Sequence, residues 1–128
     1  MPIHFWCIFI AWIHVYLCKL PVAVAMQQAG GYDNHNPRDQ QAGLAGWGKR
    51  ALAAHQNGFE GFAPFAVAVL VAHIGGGPAA WLDGLAAAFV ISRFAYLACY
   101  MVDLATLRSL VWTVGWFCTF ALFLSPLF

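Results

Sequence analysis

Apolar residues dominate four stretches of the chain, at 3–26, 47–74, 79–103 and 108–124. Polar and turn-forming residues collect between them. A helix needs about 20 residues to cross a bilayer, with 17 close to the lower limit. The pattern therefore predicts four spanning helices in a single domain, 1–128: an all-α membrane protein built as a four-helix bundle. Residues 27–48 form the only extended polar segment, punctuated by Gly30, Gly31, Asn34 and Gly43. Pro37 pushes Asn36 out of the helical region, so a turn is expected there. Gly75-Gly76-Gly77-Pro78 ends the second helix, and Pro78 can open the third. Leu104–Leu107 is a short link, and Ser125-Pro126 closes the fourth helix.

Composition sharpens this reading. Hydrophobic residues make up 62% of the chain and charged residues 9%. A soluble domain carries about 25% charged residues. A water-facing surface cannot be assembled from so few charges, and so much apolar material excludes disorder. The net charge of +1 offers no surface for nucleic acid. The first stretch includes Ala23-Val24-Ala25, small residues of the kind found at signal cleavage sites. No Lys or Arg precedes it, however, and His14 and Lys19 interrupt it, so it is expected to remain as a span. Lys19 lies near the helix end, where its ammonium can snorkel outwards. Arg38, Lys49, Arg50 and Arg108 all fall in or beside the first and third connections. The positive-inside rule then places those connections in the cytoplasm and both termini outside. Cys7, Cys18, Cys99 and Cys118 sit in apolar runs and are expected to be packing residues. No Cys/His spacing suits a metal.

Charge inside a span is costly, by about 2.5–3.5 kcal/mol per residue on insertion scales. Glu60 and Arg93 are the two deepest charges, at comparable depth on neighbouring helices, and are expected to pair. Arg93, Tyr96, Tyr100 and Asp103 follow steps of three, four and three residues and share one helical face. Arg50, Asn57 and Glu60 share a face of the second helix. Together they describe a polar pocket open to the cytoplasm, with Arg108 and Ser109 at its rim. Glu60 alone also fits the relay carboxylate of a small proton-coupled transporter, although no inverted repeat is visible. His55 and His73 lie roughly 27 Å apart at 1.5 Å per residue, so they cannot share a haem iron.

Two runs carry a resemblance. Arg50-x4-His55-x-Asn57-x2-Glu60-x3-Pro64-Phe65 resembles the second-helix signature of the MAPEG family, the membrane-associated proteins in eicosanoid and glutathione metabolism. Arg93-x2-Tyr96-x3-Tyr100, followed by Arg108-Ser109, resembles that family's second signature. Asn36-Pro37-Arg38, the length and the four-span layout agree. The resemblance implies a homotrimer with active sites between subunits, near the cytoplasmic side. It implies glutathione as co-substrate, a hydrophobic small molecule as second substrate, and transferase or peroxidase activity. Arg50, Asn57, Glu60, Arg93, Tyr96 and Tyr100 would hold the tripeptide. Arg108 would stabilise its thiolate, with Ser109 as hydrogen-bond partner to the sulfur. The compact loops fit the inner membrane of a bacterium. Ala53 and Gln56 stand where relatives carry charge. They keep open a second reading: a non-catalytic, lipid-binding subunit of the same fold.

Overall fold

The structure, a computed structural model, describes all residues, 1–128. Six α-helices follow in order: α1 (Ile3–Leu17), α2 (Lys19–Gln28), α3 (Pro37–Ala42), α4 (Gly46–Ile74), α5 (Ala79–Met101) and α6 (Ala105–Leu124). A 3-10 turn, Ser125–Leu127, closes the chain. Four helical units are long and apolar enough to cross a membrane: Ile3–Gln28, Gly46–Ile74, Ala79–Met101 and Ala105–Leu127. The fold is the four-span helical bundle expected from the pattern, with no strand.

The first span is interrupted at Cys18, between α1 and α2. Pro21 explains the break, because it cannot donate to the Leu17 carbonyl and its ring crowds that oxygen. Cys18 keeps right-handed angles and its N–H still bonds the His14 carbonyl at 3.0 Å, so the span bends and continues to Gln28, two residues beyond the expected end. Lys19 reaches towards the polar connection, with Nζ 3.9 Å from Met26 Sδ and 5.9 Å from the Tyr32 ring.

Further boundaries differ from the sequence reading. Asn36 leaves the helical region as expected (φ −134°, ψ 59°), but Pro37 then opens α3, where its missing N–H costs nothing. The third span stops at Met101 instead of Asp103. Asp103 adopts φ +61°, and the Leu104 N–H reaches back to the Cys99 carbonyl at 2.9 Å, a Schellman closure. Aspartate is among the few residues with a side chain that accept this conformation. The fourth span starts at Ala105, three residues early, so Arg108 and Ser109 lie one turn inside α6.

Small residues set the packing. The main core joins Cys7 and Ala11 of α1, Phe65, Ala68, Val69 and Ala72 of α4, Leu82, Ala86 and Phe89 of α5, and Cys118 and Leu122 of α6. Phe65 and Phe89 stack at 3.8 Å, with 6° between their planes. At Gly115 the α6 backbone lies directly against the Ser92 side chain of α5, so that a Cβ would stand 2.7 Å from Ser92 Oγ. A second cluster, Val22, Ala25, Met26, Leu44 and Ala51, holds α2 and the polar connection against α4. Gln40 fastens that connection, donating to the Met26 and Gly31 carbonyls at 3.1 and 2.7 Å and accepting from the Asp33 N–H at 2.8 Å. The outward faces carry Trp6, Phe9, Ile91, Leu110 and Phe117 in the open. A surface of that kind belongs against lipid or another helix, not water.

Candidate functional site

A set of polar side chains runs from the middle of the spans to the end that carries α3. Arg93, Tyr96 and Tyr100 occupy one face of α5, at steps of three and four residues. The Arg93 guanidinium lies 4.4 Å from the Tyr96 ring centre. Tyr96 meets Tyr100 edge to face at 5.3 Å. Tyr100 in turn carries the Arg108 guanidinium of α6, again at 4.4 Å. The result is a continuous ladder of cation, ring, ring and cation. Each cation–ring step stabilises by about 0.5–2 kcal/mol, more where water is excluded. Arg93 and Tyr96 are buried, at 5% and 6% exposure. The α5 end of the ladder is therefore fixed, and Arg108 is its accessible end.

The expected direct pair between Glu60 and Arg93 does not form. Arg93 Nη2 donates to Asn57 Oδ1 at 2.8 Å, and Asn57 Nδ2 donates to Glu60 Oε2 at 3.1 Å. Asn57 offers one acceptor and one donor, so it links the two charges without burying the carboxylate. Glu60 lies on the outward surface of the helix, where Asn57 is its hydrogen-bond partner. Gly61, the next residue on α4, lies against the guanidinium: a Cβ there would come into ordinary contact, 3.7 Å from Arg93 Cζ.

Two adjoining clefts border these groups. One, of about 320 Å³, runs from Asn57, Glu60 and Arg93 down to Trp116, Phe120 and Phe123. It is polar at one end and aromatic at the other. The second, of about 430 Å³, is lined by Tyr96, Tyr100, Arg108, Ser109, Trp112 and Thr113. Trp112 lines both and forms their shared wall. The sequence reading passed over Trp112, although it stands four residues after Arg108 and hence on the same face of α6.

Arg50 and Ser109 behave differently from the expectation. Arg50 lines neither cleft. Its Nε donates to the Tyr100 carbonyl at 3.1 Å, and it stands 4.0 Å from the exposed carboxylate of Asp103. It caps the C-terminus of α5, where a cation also complements the helix dipole. Arg50→Met is expected to lower stability by about 1 kcal/mol, discounted for its partial exposure. Thermal unfolding in detergent measures this, and Arg50→Lys, which lacks Nε–H, recovers only part of the loss. Ser109 Oγ donates to the Ala105 carbonyl of its own helix at 3.2 Å, so its proton is already engaged and only its lone pairs face the cleft.

The other singled-out residues serve the scaffold. His55 Nδ1 donates to the Val15 carbonyl at 2.9 Å and fastens α4 to α1. Gln56 lines a separate cleft of about 570 Å³ with Lys19, Tyr32, Arg38 and His55. Cys7, Cys18, Cys99 and Cys118 are all buried free thiols. No group of three His, Cys, Asp or Glu side chains converges to hold a metal ion. No curated protein and no solved structure matches the chain. The MAPEG family model matches residues 3–128. With the family's pattern covering every span and both flanks of the ladder, this chain belongs to the MAPEG family.

Proposed function

We propose that this protein is a membrane-bound, glutathione-dependent transferase or peroxidase acting on hydrophobic electrophiles or lipid hydroperoxides. The observation that carries the reading is the ladder from Arg93 to Arg108, set beside a cleft that turns from polar to aromatic within the spans. Glutathione offers two carboxylates, an ammonium and a thiol. Arg93 supplies charge-assisted hydrogen bonds for a carboxylate. Glu60, with an oxygen free of Asn57, accepts from the ammonium. Arg108 lies one turn inside α6, so its charge adds to the positive end of that helix dipole. Both favour the thiolate, which is the reactive form.

The second substrate enters from the bilayer through the aromatic end, between Trp116, Phe120 and Phe123. In conjugation, the thiolate sulfur bonds to the electrophilic carbon and the leaving group departs with its electron pair, or a proton completes the addition. In peroxide reduction, the thiolate attacks the terminal oxygen and releases the alcohol after protonation. A second glutathione then displaces water from the sulfenic product to give the disulfide. Subunits assemble as homotrimers in a bacterial inner membrane, with connections 29–45 and 102–104 on the cytoplasmic side and both termini outside.

Calorimetry on the detergent-solubilised protein tests binding, with ultraviolet thiolate absorbance as a second readout. Saturable binding is expected, and Glu60→Gln is expected to weaken it about tenfold or more, the loss of a charged hydrogen bond. No heat at millimolar glutathione would overturn the enzyme reading. It would select the lipid-binding subunit instead, which the uncharged Ala53 and Gln56 favour.

A further inference from the structure

The opposite end of the bundle holds a polar cluster with no part in the ladder or its clefts. It joins residues far apart in sequence: His4 in the first turn of α1, His73 in the last turn of α4, and Asp83 in α5. His4 is 2% exposed. Its backbone N–H and its Nδ1 both meet Asp83 Oδ1, at 3.0 and 2.6 Å. Its other ring nitrogen, Nε2, lies 3.1 Å from His73 Nδ1. Phe5 packs against both imidazoles, at 4.7 Å from each ring centre. The side chain of His73 is exposed and that of Asp83 is 30% exposed, while the His4 ring between them is covered.

Hydrogen counting gives this chain two closed states and one open one. The carboxylate only accepts, so His4 Nδ1 carries a hydrogen. When both rings are neutral, His4 Nε2 must accept and His73 Nδ1 must donate. One added proton on His4 reverses that bond: Nε2–H now donates to the lone pair of His73, and the bond to Asp83 becomes charge-assisted. The contact stays closed. A second proton sets N–H against N–H at 3.1 Å, between two cations. No arrangement of hydrogens closes that contact, and the exposed His73 is the ring free to move.

We propose that Asp83, His4 and His73 form a proton-operated latch between α1 and α4, closed with zero or one proton on the histidine pair and opened by the second. Imidazole is the side chain whose ordinary titration spans mildly acidic pH. The ionisable groups facing His4 are Asp83 from α5 and His73 from α4, with Cys7, one turn along α1, near Asp83. The 3-10 turn packed against the end of α4 contributes no ionisable side chain. Opening frees the last turn of α4 and the Gly75–Gly77 connection, while His4 stays tied to Asp83. This inference does not rest on the proposed glutathione chemistry.

The test is amide hydrogen exchange of residues 71–77 in lipid nanodiscs, at pH 7.5 and pH 5, corrected for intrinsic rates. Protection in the wild type is expected to fall about tenfold at the lower pH. His73→Gln lies at the surface and keeps a neutral hydrogen-bonding group, so it is expected to remain folded and to lose the pH step. A wild type with no step, or a step that persists in His73→Gln, would each overturn the latch.

Discussion

Arg108→Ala is expected to lower kcat/KM for glutathione conjugation by about 10²–10³-fold, the usual cost of removing one preorganised charge from a developing anion. Three features converge on this residue. It is the accessible end of the ladder, it lies within a turn of the α6 N-terminus, and it borders the cleft that also holds Ser109 and Trp112. Arg93 and Tyr96 are buried at the other end, so their removal would disturb packing and chemistry together. Arg108 is partly exposed and has no hydrogen-bond partner to orphan, so its removal isolates chemistry. The melting temperature is expected to fall only by the loss of the partly exposed contact with Tyr100, and the thiolate absorbance to vanish. Arg108→Lys keeps the charge but gives up the planar stack on Tyr100, and recovers part of the rate. Full activity in Arg108→Ala would remove thiolate stabilisation from the proposed function.

Gly115→Leu is expected to have the largest effect on stability, a loss of about 3 kcal/mol or more. The first carbon of any side chain there meets Ser92 Oγ at 2.7 Å, and that hydroxyl is itself held by the Phe89 carbonyl at 2.6 Å. The hydroxyl must give up that bond, and the longer side chain then pushes the helices apart. Both clefts are bounded by α5 and α6, so ligand binding and stability should fall together. Gly61→Ala is the informative contrast, because its added carbon finds ordinary contact on Arg93. It should melt like the wild type. Thermal unfolding of the two variants in one detergent measures the difference. A wild-type melting curve for Gly115→Leu would overturn the close approach of α5 and α6.

The spans were legible because apolar runs of membrane length have one economical solution in a bilayer. The faces were legible because helical spacing fixes which residues share a side. Arg93, Tyr96 and Tyr100 therefore stand together as expected. Spacing within one helix says nothing about which atom on a neighbour satisfies a charge. Glu60 and Arg93 share a depth, but the Asn57 amide between them offers two hydrogen bonds and leaves the carboxylate in the open. Arg50 shares a face with Asn57, yet its level coincides with the free carbonyls at the end of α5. That level depends on where α5 stops, which Asp103 fixes two residues before the apolar run predicted. The latch was illegible for a related reason. His4, His73 and Asp83 meet only because three helix ends coincide, and no local pattern marks them.

The burial of the four thiols has a consequence of its own. Cys7, Cys18, Cys99 and Cys118 are 5%, 0%, 6% and 7% exposed. Electrophiles of the class proposed here alkylate any thiol they can reach. A protein concentrating such reagents from the bilayer would be the first target of its own substrates if its cysteines lay in the groove. None of the four lines either cleft beside the ladder, so under the proposed chemistry the sulfur of glutathione is the only thiol an electrophile meets there, and the scaffold is spared self-inactivation.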